Sequence, residues 1–308
     1  MRRLTFHIAV FLLPIVAGVY ILPANEARVF NGLENDCAGR GQWIYHRLYE
    51  SDQPVDLAFL GSSKTIHSVN PMILEESTGL NVANLGYCRY GRNLQYNFLK
   101  RLIQQKEPRF VVVEVRYSEN PYSHPIFPYV ASVSDLLTAY PFYNKDWFTD
   151  ELTAFQYRLQ MAQEDLFSDY QNSTTGPPDT SEHSFQPLIG DAGKSDLQLM
   201  REKRQKGDDR TAWKRDFDNT FPHAYLKRMW RLCEKHGVKL LFLYLPNYGV
   251  PAGKPLSWEQ YAKYGALMIP PDSILDKPEN WADPNHLNHR GTSAMTQWLK
   301  AELPDLLE

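Results

Sequence analysis

A serine hydroxyl attacks a carbonyl only where a base takes its proton, so the useful residues are serines and histidines that a fold could bring together. Gly61-Ser62-Ser63-Lys64-Thr65 follows the apolar run Val55–Leu60. Glycine before serine at a strand-to-helix turn lets backbones approach closely and leaves a hydroxyl beside a helix N-terminus, where amide N–H groups stabilise an oxyanion. Ser63 is the expected nucleophile; Ser62 is the alternative hydroxyl and a candidate substrate contact. Of the nine histidines, His286 is the best base, because Asp283 stands three residues before it. In a non-helical turn that spacing lets the carboxylate reach the imidazole Nδ1–H and hold the tautomer. Each half has a plainer reading: Gly-Ser-Ser is also an N-cap or phosphate-binding turn, and Asp283 is also a turn-former ahead of Pro284. His67 reads as helical and structural, and Asn288 as the cap of the last helix.

The elements that must position these residues follow one grammar. Val55–Leu60, Asn81–Leu85, Phe110–Val115 and Val238–Leu245 are short apolar runs bounded by Gly, Pro or Asn, as buried parallel strands should be. Between them, Leu94, Phe98, Leu102 and Ile103 recur at helical spacing, as do Leu226, Met229, Trp230 and Cys233 ahead of Gly237. Strand alternating with helix predicts an α/β fold with a mostly parallel sheet covered on both faces. A last helix is expected from about Gly291 to Leu303, stopping at Pro304. Residues 120–218 break the alternation: prolines 121, 125 and 128 sit among aromatics, Trp147 to Phe167 reads as helix, and Gln171 to Lys194 lacks periodicity. This stretch is expected to be an insertion or cap, since long loops are usually lids or disordered. Ligands of open α/β sheets bind past the strand carboxyl ends, which here carry Ser62 and Ser63, Gly86 to Asn93, Arg116 and Asn247.

Taken together and in this chain order, the motifs resemble the SGNH (GDSL-type) hydrolase superfamily. Gly61-Ser62-Ser63 stands where that family has its Gly-Asp-Ser block, and Asn84-Leu85-Gly86 matches the second block. Asp283-x-x-His286-Leu287-Asn288-x-x-Gly291 matches the last. The resemblance implies a three-layer α/β/α sandwich of flavodoxin-like type, a Ser63–His286–Asp283 triad and an oxyanion hole using the Ser63 and Gly86 amides. The Ser62-Ser63-Lys64-Thr65 variation is similar to the subgroup of envelope-polymer acylation proteins, among them alginate acetylation factors and the D-alanyl transfer protein of teichoic acid synthesis. The chain departs from the family at the third block, where an Asn in Gly-x-Asn-Asp serves as oxyanion donor. Here the strand end reads Glu114-Val115-Arg116-Tyr117. Arg116, Asn93 and Asn247 are the candidates for that donor or for a substrate contact, and a guanidinium there suits a carboxylate or phosphate.

Residues 4–22 carry no charged side chain, about the length that crosses a hydrocarbon core of roughly 30 Å. Arg2 and Arg3 precede this stretch while Glu26 and Arg28 follow, which predicts an N-terminal transmembrane helix over residues 1–25 and an exported SGNH-like domain over 26–308. A cleaved signal peptide is the other reading, and either exports the domain. The formal net charge of -3 and the absence of a Lys/Arg cluster interleaved with aromatics exclude nucleic acid as a partner class. Cys37, Cys88 and Cys233 lack the spacing of a metal site, and Cys37 with Cys88 is the pair that an exported domain would oxidise. The expectation is a membrane-anchored serine esterase or O-acyltransferase on the periplasmic side, acting on acyl groups of an envelope glycan without a cofactor. A membrane-bound O-acyltransferase is a possible partner. Two questions stay open: whether water or a sugar hydroxyl receives the acyl group, and whether the chain is instead a non-catalytic, glycan-binding or assembly component.

Overall fold

Strands whose side chains alternate between two helical layers must be apolar at successive positions, which is why the strand runs are continuous rather than alternating. The computed structural model describes residues 14, 18–20, 25–33, 35–167, 185–251 and 253–307. In chain order, α1 (Glu26–Asn31) and α2 (Arg40–Tyr45) lead through a π turn to β1 (Leu57–Leu60). Then come α3 (Ser63–Ser68), α4 (Pro71–Thr78), β2 (Val82–Asn84), α5 (Arg92–Lys106) and β3 (Phe110–Val115). The stretch expected as an insertion carries α6 (Phe127–Val130), α7 (Val133–Leu137), α8 (Trp147–Phe167), α9 (Lys194–Arg204) and the start of α10 (Ala212–His236). β4 (Lys239–Tyr244), α11 (Trp258–Ala262), β5 (Ala266–Met268), α12 (Asp272–Leu275), β6 (Trp281–Asp283), β7 (His286–Leu287) and α13 (His289–Leu307) complete the chain.

The main sheet has five parallel strands in the order β2-β1-β3-β4-β5. Alternation divides its side chains between two cores. Ala58, Leu60, Val111, Val113 and Phe242 face Leu94, Phe98 and Leu102 of α5 and Leu226 and Met229 of α10. Leu57, Phe59, Val112, Leu241 and Leu243 face Leu74 of α4 and Met295, Leu299 and Leu303 of α13. Burying each such side chain contributes roughly 1.5–3 kcal/mol, so both layers are held to the sheet by many independent contacts. Strand order reverses between β1 and β3, which opens a crevice at their carboxyl ends. A smaller cluster of Phe127, Ala131, Leu136, Ala139 and Ala154 packs α6 and α7 against α8.

Three expectations need correction. The transmembrane helix is not supported: among the described residues no helix is long and apolar enough to cross a membrane. Most of residues 4–22 lie outside the described residues, but Tyr20 donates a hydrogen bond to Glu151 Oε2 on α8 (2.9 Å) and its ring meets Phe155, contacts made with protein. The last helix does not stop at Pro304, which lies inside α13. A proline near the end of a helix removes one backbone bond of the last turns, and Leu303 anchors that end in the core at 0% exposure. Finally β5, β6 and β7 were not anticipated; each has only two or three residues. Residues 168–184 of the aperiodic stretch lie outside the described residues.

A disulfide joins Cys37 to Cys88, tying the segment before α2 to the loop after β2. Cys233 is free and buried in α10.

Candidate active site

The turn after β1 is shaped by a residue with no side chain. A Cβ on Gly61 would collide with Thr65 Oγ1 and with the Glu114 side chain, so only glycine lets β1 pass into α3 above β3. Ser62 is the N-cap of α3, its Oγ accepting from Lys64 N (3.2 Å). Ser63 is the first helical residue and half-buried. Neighbouring residues at a helix start point in different directions, and here the two hydroxyls separate completely. Ser62 Oγ donates to Glu114 (2.8 Å) and Ser62 is 0% exposed, whereas Ser63 Oγ lies 2.8 Å from His286 Nε2. Ser62 therefore has no access to substrate, which corrects that expectation.

His286 and Asp283 sit opposite one another in the β6–β7 hairpin. Asp283 Oδ1 accepts from the amides of Asn285 (2.6 Å) and His286 (3.1 Å), which folds the turn, and Oδ2 accepts from His286 Nδ1–H (2.8 Å). Burial alone would raise the Asp283 carboxyl; the hydrogen bond from His286 and the two amides outweigh it and hold the group below its ordinary value. An ionised carboxylate only accepts, so the proton stays on Nδ1 and Nε2 is left to accept from the Ser63 O–H. The hairpin is pinned from behind. Trp281 Nε1 donates to Leu275 O (2.9 Å), and Asn288 caps α13 by accepting from Gly291 N (3.1 Å) while its amide donates to Glu279 O (2.8 Å). His67, one turn along α3, meets the His286 ring edge-on at 5.4 Å. Its ring is itself held by Gln186 O (2.5 Å), so it buttresses the base as a structural residue.

Around the expected oxyanion position the donors are arranged differently from expectation. The Gly86 amide donates to Asn84 Oδ1 (3.1 Å), and its carbonyl accepts from Arg40 Nε (3.1 Å). Asn93 is 0% exposed; its Oδ1 accepts from the amides of Leu94 (3.0 Å) and His124 (3.1 Å), while Nδ2 has no acceptor among the described residues. Arg116 donates from Nε to Glu114 Oε1 (3.0 Å) and stacks over Tyr90 at 4.2 Å. Asn247 lines a cleft of about 700 Å³ together with Arg116 and Lys64.

Glu114 and Arg204 are the residues that sequence reasoning passed over. Glu114, 1% exposed, accepts from Ser62 N (2.5 Å), Ser62 Oγ, Thr65 Oγ1 (2.9 Å) and Arg116, and so braces the turn that carries Ser63. Burial would raise its carboxyl, but Arg116, Lys64 and the Ser62 donors hold it below the ordinary value. The signal was a lone acidic residue inside Phe-Val-Val-Val-Glu-Val, since a charge in a buried strand must be paired. Arg204 donates to Tyr248 O (2.8 Å), Pro284 O (2.7 Å) and Asn285 Oδ1 (2.9 Å), clamping the Asp283–His286 turn from α9. No local pattern announces a contact across such a separation.

No protein-family model matches the chain, and no curated protein matches it significantly. Among solved structures, a protein of Bacteroides fragilis provisionally described as an acylhydrolase is similar at 12% identity, over 86% of this chain and 96% of that one, with a TM-score of 0.40. A protein of Streptococcus pneumonia provisionally described as a platelet activating factor is similar at 14% identity, over 89% of this chain and 95% of that one, with a TM-score of 0.33.

Proposed function

We propose that this chain is a serine acyl-transfer domain of SGNH type, an esterase or O-acyltransferase, whose reaction passes through an ester on Ser63. The observation that carries the reading is the unbroken hydrogen-bond chain Ser63 Oγ–His286 Nε2 and His286 Nδ1–Asp283 Oδ2, each 2.8 Å, at the carboxyl ends of the sheet. Ser63 Oγ attacks the acyl carbonyl as His286 Nε2 takes the hydroxyl proton, and Asp283 stabilises the resulting imidazolium. The tetrahedral adduct collapses by breaking the bond to the leaving alkoxide, which receives that proton from His286. Water or a sugar hydroxyl then attacks the acyl-Ser63 carbonyl as His286 takes its proton, and the second tetrahedral adduct collapses by breaking the bond to Ser63 Oγ, which recovers the proton from His286. The Ser63 amide, in the first turn of α3, is the donor assigned to the oxyanion, and Gly86 joins it only if its amide leaves Asn84.

The assigned substrate is an acylated glycan of the cell envelope, and the assigned compartment lies outside the cytoplasm. The Cys37–Cys88 disulfide supports that location, because such bonds persist in oxidising compartments. A second reading, a non-catalytic glycan-binding or assembly component serving an acyltransferase, is favoured by one observation: the engaged Gly86 amide. The two are separated by intact-mass measurement after exposure to an activated short-chain ester. An adduct is expected on Ser63, absent in Ser63→Ala and formed about 10²–10⁴-fold more slowly in His286→Ala. No adduct on the wild-type chain, or an adduct that survives Ser62→Ala with Ser63→Ala, rules the acyl-transfer reading out.

A further inference from the structure

The cleft of about 700 Å³ borders the triad through two residues: Lys64 follows Ser63 in the chain, and Arg204 holds the turn between Asp283 and His286. Seven cationic side chains and four carboxylates line it, in a chain whose formal net charge is -3. Three of the carboxylates are already engaged. Glu119 bonds Arg92 and Tyr261, Asp208 pairs with Arg210 (2.8 Å), and Asp218 pairs with Lys145 (2.9 Å) and Arg210 (3.1 Å). Lys64, Lys203, Arg204 and Lys214 have no carboxylate at ion-pair distance among the described residues. Lys64 is 4% exposed and its ammonium donates to a neutral acceptor, Leu245 O (2.9 Å); Arg204 spends its donors on two carbonyls and an amide oxygen. Asp209 is the fourth carboxylate, with Glu114 and Asp283 behind the inner wall, and the seven cations still outnumber the four lining carboxylates; such an excess in a concave, partly desolvated space forms a field that selects for negative ligands.

We propose that this cleft binds an anionic group, a carboxylate or a phosphate, carried by the non-reacting part of the substrate whose acyl group meets Ser63. The proposal rests on the acyl-transfer reading for the identity of the ligand as substrate, but not for the binding itself. Lys64 and Arg204 supply charge at the inner wall next to the triad, and Lys203 and Lys214 supply it at the exposed rim. Burial, with Arg116 nearby, pushes the Lys64 ammonium well below its ordinary value against the opposing pull of Glu114 and Asp283, and an anion in the cleft favours its charged form. Binding energy taken from this remote group would orient the ester over Ser63.

Calorimetry on the Ser63→Ala chain tests the site with trigalacturonate, a glycerol phosphate trimer and neutral maltotriose. At least one anion should bind in preference to maltotriose, and comparing the two tells carboxylate from phosphate. Lys203→Glu with Lys214→Glu, two exposed positions where folding is undisturbed, should weaken anion binding by at least about tenfold. Equal binding of maltotriose and the anions, binding of none of the three, or anion binding unchanged in the double variant overturns the proposal. Anion binding without acylation of Ser63 by the activated ester would leave the site standing and remove the catalytic reading instead.

Discussion

Glu114→Gln isolates the contribution of the buried carboxylate under the nucleophile turn. In the wild-type chain, Oε2 accepts from Ser62 N and Thr65 Oγ1, Oε1 accepts from Arg116 Nε, and Ser62 Oγ reaches both. Hydroxyls can rotate to accept, but the Ser62 amide and Arg116 Nε–H can only donate. An amide in either orientation turns its NH₂ toward one of them, leaving a buried donor unsatisfied at a cost of about 1–3 kcal/mol. It also removes the negative charge facing Arg116 and Lys64, and breaking a buried pair in this way typically brings the loss to about 3–5 kcal/mol. With a urea slope of about 3 kcal/mol/M, the unfolding midpoint should fall by about 1 M or more. The sign with pH is also determined. Because the folded carboxyl lies below its ordinary value of 4.5, its stabilisation is complete above that value and is lost as pH falls through the folded one. The gap between wild type and variant should therefore narrow in acid. A variant within about 0.5 kcal/mol of wild type at neutral pH, the scatter of ordinary surface changes, would refute the argument.

Two further measurements probe the surroundings. His124 is buried with Nδ1 accepting from Ile126 N and Nε2–H donating to Cys88 O, and burial pushes its pKa down to about 4. The neutral ring thus contributes stability above the unfolded value of about 6.5 that is lost between there and about pH 4, amounting to about 3 kcal/mol; His124→Phe should flatten that part of a urea-midpoint profile, and an unchanged slope would count against it. Replacing Cys37 and Cys88 together with serine should cost about 2–4 kcal/mol in the same assay, since the bridge joins residues 51 positions apart; a urea midpoint equal to wild type would show the bridge to be dispensable.

Much of this molecule can be read along the chain because its signals are local. Val111–Val113 and Leu240–Leu243 announce strands because both faces of a central parallel strand are buried. Asp283 and His286 announce each other because three residues of turn suffice to join carboxylate and imidazole. β5 was silent because an edge strand of three residues with Ala266 exposed leaves no apolar run to read. Long-range contacts were equally silent. That Ser63 rather than Ser62 faces His286 depends on Glu114, 52 residues away, capturing the Ser62 hydroxyl. That the Gly86 amide is engaged depends on how the Asn84 side chain lies, since its Nδ2 is drawn to Thr65 O (2.8 Å) and Val69 O (3.0 Å) and its Oδ1 is thereby turned to that N–H. Arg204 reaches the triad turn only because α9 packs beside the loop after β4. Composition and spacing specify which groups a chain can offer; which donor meets which acceptor follows from packing, because a buried polar atom takes the partner that the folded chain leaves within about 3 Å.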